Sequence, residues 1–200
     1  MSLSLFFAIL IGVVRELYVI TELDKIVATV FGFQGKYKAV ILASKLISFL
    51  GLELAIVYEI IICLKTIIFK KKYRLGLDLI ILLSSIVIAL VIKELVARPR
   101  PNVSQMMVKE SGYSFPSIHT LVTTVVVTLN FYDKSKMNKI RNFFLILVGV
   151  ISIILVALSR ITLRVHYFSD TLASIFLGIF LVFQFKNFNK YISKNKTINN

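Results

Sequence analysis

The chain has 200 residues, of which 58% are hydrophobic, and it carries a formal net charge of +14. Its mean hydropathy of +0.86 lies well above the globular norm, which excludes an ordinary soluble domain and indicates an integral membrane protein. The positive charge does not indicate nucleic-acid binding, because the basic residues cluster in short segments between apolar runs, as in membrane-flanking loops.

The first apolar run, residues 2–20, predicts a membrane helix. No basic residue precedes it and no small-x-small site ends it, so we do not expect a cleaved signal peptide. Residues 21–37 mix charged and apolar residues at helical spacing, which predicts a short amphipathic helix at the membrane interface, ending in a turn. A second span follows at 38–68, and its charged residues are expected to make packing contacts rather than line an ion path.

Four further spans are predicted, at 75–92, 116–132, 142–159 and 167–185. Pro99 and Pro101 should stop the helix that arrives from the third span, and Pro116 is favourable at the first position of the fourth. The sequence therefore predicts an all-α bundle of six membrane helices over residues 1–185, followed by a basic cytoplasmic tail at 186–200.

The distribution of basic residues predicts the orientation of this bundle. With six spans both termini lie on one side, together with the turns 65–74 and 133–141. These two turns and the tail hold thirteen of the 24 lysine and arginine residues, so that side should be cytoplasmic. The loop 94–115 and the segment 159–170 should then meet on the extracytoplasmic side of a cytoplasmic membrane.

The segment 159–170 separates the last two spans and contains Arg160, His166 and Asp170. Ionisable residues at a membrane boundary are expensive to keep, and they indicate a functional site. On a helix, His166 and Asp170 would share one face, so the carboxylate could hold one ring nitrogen while the other acts as a nucleophile or base. Arg160 offers a planar fork suited to phosphate. The ordinary alternative is a charged loop with a salt-bridged histidine.

Other polar residues fall at the ends of neighbouring spans on the same side. The third span ends at Lys93, with Arg98 and Arg100 close behind, and the fourth begins with Ser117 and His119. A helix bundle can bring these ends together, and the first N–H groups of the fourth helix add unpaired donors at its positive end. Each residue alone has an ordinary explanation, but together they predict a site for a multiply charged anion, with phosphate fitting best.

Three motifs follow one another here: Lys93-x6-Arg100-Pro101, Pro116-Ser117-Ile118-His119 and Ser159-Arg160-x5-His166-x3-Asp170. Their order and spacing resemble the signature of the type-2 phosphatidic acid phosphatase family, over about residues 20–185. The family includes bacterial phosphatidylglycerophosphate and undecaprenyl diphosphate phosphatases, and it shares its signature with soluble haloperoxidases, which the predicted spans exclude. One position departs from the pattern. Ile118 replaces a glycine, which should be tolerated if position 118 is right-handed helix and strained if it needs a positive φ.

The resemblance implies a role for each motif residue. His166 would be the nucleophile that forms a phosphohistidine, Asp170 would orient its ring, and His119 would protonate the leaving oxygen and then activate water. The phosphate oxygens would be bound by Lys93, Arg100, Ser117, the backbone at Ile118, and Arg160. No metal or other cofactor is expected beside so many fixed cations. Arg98 and Arg164 lie outside the motifs and would contact a headgroup at most.

The expected function is metal-independent hydrolysis of the terminal phosphate of a membrane lipid. The substrate would be undecaprenyl diphosphate, phosphatidylglycerol phosphate or phosphatidic acid, and we favour the diphosphate slightly. The alternative is a lipid phosphotransferase that passes the phosphoryl group to another acceptor. A small transporter would need charges near mid-membrane in several spans, and only the second span has several. The expected partners are the lipid substrate and the bilayer.

Overall fold

The computed structural model describes residues 1–31, 37–68, 73–132 and 139–198. Within these ranges the chain forms helices and no strand, which confirms the all-α prediction. A π-helical turn spans Leu50–Leu54, and a short 3₁₀ turn spans Val103–Gln105. The α-helices are α1 (Ser2–Val14), α2 (Tyr18–Phe31), α3 (Lys38–Phe49), α4 (Ala55–Ile68), α5 (Tyr73–Val96), α6 (Ile118–Tyr132), α7 (Lys139–Thr162) and α8 (Phe168–Ile198).

Four helical stretches of the described chain are long and apolar enough to cross a membrane: Lys38–Ile61, Leu77–Val96, Lys139–Thr162 and Phe168–Tyr191. The pair α1 and α2 qualifies only if it is counted as one bent span. The apolar helix α6 has 15 residues, so it is about 22 Å long against a hydrocarbon core of about 30 Å. The described residues thus support four spans, or five with the bent pair, and the six-span count stays a prediction.

The first predicted span, residues 2–20, is wrong in its bounds, because the chain bends by 90° between α1 and α2. Glu16 takes a left-handed conformation at the bend, with φ of 48°. Gly12 lets the two helices approach, since a Cβ there would lie 2.6 Å from Cγ1 of Ile20. The helix predicted to begin at residue 21 therefore begins at Tyr18, roughly perpendicular to α1, and its most buried residue is Asp24.

The central helix of the bundle is α6, which packs against α5, α7, α8 and the π-helical turn. Its residues Leu121, Val122 and Val125 have no exposed surface. The outer helices instead expose large apolar side chains, such as Phe143 and Phe144 of α7, as expected of lipid-facing surfaces. The first turn of α6 lies beside the end of α5 and the start of α8, because Lys93 and Asp170 contact the backbone of Pro116 and Ser117 that leads into it.

The last helix continues beyond the predicted end of the sixth span at 185. α8 runs without a break to Ile198, and the first residue of the predicted tail has a partner inside the bundle. The Lys186 Nζ donates to Asp78 Oδ1 at 2.5 Å, and the Lys186 side chain is 5% exposed. Three predicted turns fall mainly outside the described residues, at 32–36, 69–72 and 133–138.

Candidate active site

The chain enters α6 through a buried turn. The helix begins at Ile118, two residues after the predicted start at Pro116. Ile118 is therefore the first helical residue, and the right-handed geometry that tolerates a side chain in place of glycine is present. The Ser117 N–H donates to Ser174 Oγ at 2.8 Å, so it is not the unpaired donor expected from the sequence. The N–H groups of the first helical turn remain as the donors at this end.

The end of α7 is shaped by a Schellman motif. The Val165 N–H donates to the Arg160 carbonyl at 3.2 Å and the Arg164 N–H donates to the Ile161 carbonyl at 2.9 Å. Arg164 adopts the left-handed conformation of this motif, with φ of 58°. The chain thus leaves α7 sharply and starts α8 at Phe168, which places His166 in the short connection. The prediction that His166 and Asp170 share one helix is therefore wrong, because only Asp170 lies in α8.

His166 and Asp170 nevertheless meet. Both are buried, at 4% and 0% exposure, and His166 Nδ1 lies 3.5 Å from Asp170 Oδ2. This distance is longer than a well-formed hydrogen bond, as is common before a substrate is bound. The same oxygen accepts the Tyr167 N–H at 2.9 Å, so Asp170 forms the return half of a capping box at the start of α8.

The environment of His166 keeps its ring neutral. Burial lowers the pKa of His166 to about 4, and the opposing attraction of Asp170 only partly offsets this effect. At neutral pH the imidazole is therefore uncharged. With Nδ1 facing a carboxylate, the proton belongs on Nδ1 and the lone pair on Nε2, which is the form required of a nucleophile.

Arg160 is almost fully buried, at 2% exposure, in the last turn of α7. It donates to Ser48 Oγ of α3 at 2.6 Å and to Glu110 Oε1 at 2.5 Å. Within the described residues its Nε has no hydrogen-bond partner. A buried guanidinium with one unused N–H keeps a donor available for an added anion.

Arg100 and Lys93 hold the loop that leads to α6. Arg100 donates to three backbone carbonyls at 2.9–3.0 Å, those of Ser111, Gly112 and Val165. The Lys93 Nζ donates to the carbonyls of Tyr113 at 2.7 Å and Pro116 at 3.2 Å. The two cations predicted to bind phosphate therefore also fix the backbone that surrounds the site.

Glu110 is a site residue that the sequence analysis missed. One carboxylate oxygen bonds Arg160 at 2.5 Å, and the other lies 3.7 Å from Arg100 NH2. Burial would raise the pKa of Glu110, but the hydrogen bond and charge of Arg160, with smaller effects from His119 and Arg100, hold it below its usual value. Glu110 is thus an anion between the two arginines. The available signal was an acidic residue in a loop otherwise rich in basic ones.

His119 completes the group from the first turn of α6, where it is partly exposed. Burial has the largest effect on the charge of its ring, and Arg160, Glu110, His166 and Arg100 are close enough for their charges to act on it. The structure therefore gathers both histidines, Asp170 and the motif cations at one end of the bundle. Ser117 lies behind this group, since it is fully buried and its hydroxyl pairs with Thr120 Oγ1 at 3.1 Å.

Arg98 and Arg164 were expected to contact a headgroup at most. Arg164 hydrogen-bonds to Gln105 in the loop after α5. Arg98 instead turns inward and donates to Asp170 Oδ1 at 2.5 Å. This contact could not be predicted from the sequence, because the two residues are 72 positions apart and Arg98 is not one of the residues that define its motif.

A cavity of about 840 Å³ lies between the α1–α2 bend, the loop after α5 and the α7–α8 connection. Its wall includes Asp24, Arg98, His166 and Tyr167. The motif cations and His119 are not part of this wall, so the cavity reaches the histidine from the side of Arg98. Within the described ranges, no three His, Cys, Asp or Glu side chains form a group that could hold a metal ion.

Comparison with known proteins decides the family. The PAP2 superfamily model matches residues 75–194, which contain all three motifs. The chain belongs to the PAP2 superfamily. The resemblance inferred from the motifs is thereby confirmed. Phosphatidylglycerophosphatase B of Bacillus subtilis (strain 168) is 35% identical to this PAP2 protein over 108 residues. That alignment covers 52% of each protein, so the chain matches about half the length of this curated relative.

Two solved structures resemble the chain in fold. The first transmembrane PAP2 type phosphatidylglycerolphosphate phosphatase from Bacillus subtilis superposes with a TM-score of 0.80 at 22% identity, over 96% of both chains. Aquifex aeolicus LpxE superposes with a TM-score of 0.65 at 15% identity, over 84% of this chain and 95% of that one. At these identities the two structures show a shared membrane fold.

Proposed function

We propose that this PAP2 protein is a metal-independent lipid phosphatase that works through a phosphohistidine at His166. The observation that carries the proposal is a buried, neutral imidazole with Nδ1 facing Asp170, close to the charges of Arg160 and Arg100. A ring held at one nitrogen presents the lone pair of the other to an electrophile. The arginines stabilise negative charge on the phosphoryl oxygens as it develops.

The reaction proceeds in two displacements. In the first, the bound phosphate anion favours protonation of the adjacent His119, His166 Nε2 attacks phosphorus, the bond from phosphorus to the lipid oxygen breaks, and His119 gives that oxygen its proton. In the second, water attacks the phosphohistidine while His119 takes a proton from the water. The phosphorus–nitrogen bond breaks, inorganic phosphate leaves, and His166 is neutral again. Asp170 stabilises the positive ring between the two steps.

The phosphate of the substrate must displace the Glu110 carboxylate from Arg160 and Arg100. A phosphate dianion can accept two parallel bonds from a guanidinium and carries more charge than the Glu110 carboxylate, which accepts one hydrogen bond from Arg160. The Arg160 Nε and the first N–H groups of α6 are the further donors that support binding. Lys93 and Arg100 add positive charge while they hold the surrounding backbone.

Among the candidate lipids we place phosphatidylglycerol phosphate first, ahead of the diphosphate favoured from sequence alone. The support is the name of the matched relative, phosphatidylglycerophosphatase B. We also propose that the site opens on the extracytoplasmic face of a cytoplasmic membrane, with both termini on the opposite side. The distribution of basic residues supports this orientation.

The test measures inorganic phosphate released by the purified protein from phosphatidylglycerol phosphate, phosphatidic acid and undecaprenyl diphosphate. We expect turnover in the presence of a strong chelator and inhibition by vanadate, which mimics pentavalent phosphorus. His166→Ala should abolish turnover on every substrate. Activity that is lost in chelator and restored by a divalent ion, or residual activity in His166→Ala, would contradict the proposal. Transfer to another lipid without phosphate release would instead identify a phosphotransferase.

His119→Ala separates the role of the second histidine. General acid catalysis is worth about 10²–10⁴-fold when the leaving group needs a proton. Phosphatidylglycerol phosphate expels an alkoxide, whereas a lipid diphosphate expels a phosphate monoester whose second pKa is about 6. His119→Ala should therefore reduce kcat far more on the first substrate than on the second. Equal losses on the two substrates would show that His119 is not the general acid.

A further inference from the structure

Asp24 of α2 connects this helix to the start of α8. The residue is 4% exposed, and its two carboxylate oxygens accept three hydrogen bonds. Oδ1 accepts the Ser169 N–H at 2.8 Å, and Oδ2 accepts the Ser169 hydroxyl and Arg98 NH2, both at 2.7 Å. Ser169 is the second residue of α8, so Asp24 caps the positive end of that helix from a different helix.

Arg98 lies between two carboxylates. Its NH2 donates to Asp24 Oδ2 at 2.7 Å, and its NH1 donates to Asp170 Oδ1 at 2.5 Å and to Ser169 Oγ at 2.7 Å. The flat face of the guanidinium lies over the Tyr167 ring, with Cζ 4.0 Å from the ring centre. Bonds at both ends and stacking on one face leave the guanidinium little freedom to move.

The contact with Arg98 determines how Asp170 faces the histidine. Arg98 binds Asp170 Oδ1, which leaves Oδ2 directed toward the Tyr167 N–H and His166 Nδ1. Without Arg98, Oδ1 would be an unpaired anion in a site with no solvent exposure, close to a second buried carboxylate. A buried carboxylate pair without a cation tends to share a proton or rotate away. Either change removes the acceptor that keeps the proton on His166 Nδ1.

We propose that Asp24 and Arg98 are positioning residues that fix the orientation of Asp170 and, through it, the tautomer of His166. This inference rests on the proposed role of His166 as the nucleophile. Neither residue is among the motif residues, and Arg98 acts through Asp170 rather than on phosphate. Helix α2 thus contributes a positioning residue to the proposed site, because its one buried side chain, Asp24, holds the arginine in place.

Kinetics of four variants test the proposal. Partners that orient a catalytic group typically affect activity by roughly 10–100-fold. We expect Arg98→Gln to lower kcat near the upper end of this range and Asp24→Asn near the lower end, with KM changed less than about 3-fold. Arg98→Lys keeps the charge without the fork and should recover part of kcat. Glu22→Gln is the matched control, because this partly exposed carboxylate of the same helix pairs only with Lys25 among the described contacts.

The double variant Asp24→Asn/Arg98→Gln tests whether the two residues act as a unit. Its loss of kcat should equal that of Arg98→Gln alone rather than the product of both losses. A loss of kcat equal to the product of the two single losses would overturn the proposal, because it would indicate separate roles. An increase in KM with kcat unchanged would also overturn it, because it would indicate direct substrate binding. Melting temperatures in detergent identify the variants that fold. If Arg98→Gln does not fold, Arg98→Lys gives the decisive comparison with the native protein.

A second measurement does not depend on turnover. The chain has two histidines, so ¹⁵N-histidine labelling of a protein without a histidine tag gives two pairs of ring-nitrogen signals, and His119→Gln assigns them. We expect the Nδ1–H tautomer at His166 in the native protein and in Glu22→Gln, and its loss in Arg98→Gln. An unchanged tautomer in Arg98→Gln would overturn the proposal. Absence of phosphatase turnover in the native protein would refute the proposed function while this measurement still tests the Asp24–Arg98 pair.

Discussion

A single buried ring must change charge for the proposed reaction to occur. His166 is neutral at rest because burial penalises the imidazolium, yet the phosphohistidine that it forms is positive. Asp170 is the anion placed to stabilise that charge, and its 3.5 Å separation from Nδ1 leaves room for the contact to shorten when the ring becomes charged. The residue-level arrangement therefore favours the neutral form at the start and accommodates the charged form after attack.

The same burial predicts a pH dependence of stability. An unfolded histidine binds a proton below about pH 6.5, whereas folded His166 stays neutral down to about pH 4. Between these values the unfolded state binds more protons, so the free energy of unfolding falls as the pH falls, by at most about 1.4 kcal/mol per pH unit. Melting temperature should drop less steeply over this range in His166→Gln than in the native protein. Parallel curves for the two proteins would refute the depressed pKa.

Sequence alone located the residues whose chemistry is distinctive, and it missed their partners. His119, His166, Arg100 and Arg160 stand out because charged and catalytic side chains are rare beside apolar runs. Ser48 hydrogen-bonds Arg160 from 112 residues away. A serine in an apolar helix carries no signal of such a pairing, because only the packing of α3 against α7 creates it. Asp24 was likewise one charge among several on an amphipathic helix.

At the scale of elements, the candidate site residues are positioned by the ends of helices rather than by their middles. α5 ends at Val96, as the following prolines predicted, and Ala97 takes a left-handed φ of 48°. The bend between α1 and α2 was not predictable from the continuous apolar run, since Arg15 and Glu16 are also compatible with the end of a span. Three helix termini contribute residues to the candidate site: His119 lies in the first turn of α6, Arg160 in the last turn of α7, and Asp170 in the first turn of α8.

The turn after α7 offers a test at this scale. Arg164 has a φ of 58°, which a β-branched residue adopts only under strain of roughly 1–3 kcal/mol. In a chain of this size each kcal/mol lowers the melting temperature by about 2–4 °C. We expect Arg164→Val to melt several degrees lower and to lose activity, because His166 follows two residues later. Arg164→Gly, which accepts this φ freely, is the control and should melt above Arg164→Val. The reverse order would refute the turn geometry.

At the scale of the whole molecule, a short central helix is enclosed by longer ones. Four of the surrounding stretches are long enough to cross a bilayer, whereas α6 is shorter and surrounded by protein. A helix that contacts little lipid need not match the thickness of the hydrocarbon core. Composition could predict a membrane bundle but not this arrangement, because hydropathy measures each segment separately and does not reveal which segment the others enclose.

The orientation of the bundle is tested by labelling single cysteines from outside intact cells with an impermeant reagent. In a Cys63→Ser background, Lys109→Cys lies in the loop beside the site, and Lys71→Cys and Met137→Cys lie in the two basic turns. We expect only position 109 to be labelled, because the basic turns should face the cytoplasm. Permeabilised cells provide the control for reactivity. Labelling of position 71 or 137 in intact cells would reverse the topology.

The Glu110 carboxylate has a consequence for which molecules can reach the arginines. Because it is tethered to the site, it competes at an effective concentration that a freely diffusing anion in the surrounding fluid does not match. Soluble phosphates approach in three dimensions and meet this competitor directly. A lipid is already confined to the plane of the bilayer, so its headgroup arrives at a high local concentration. In the proposed reaction, Glu110 therefore favours substrates that are held in the bilayer over soluble phosphates, and it helps to displace inorganic phosphate after the lipid has left.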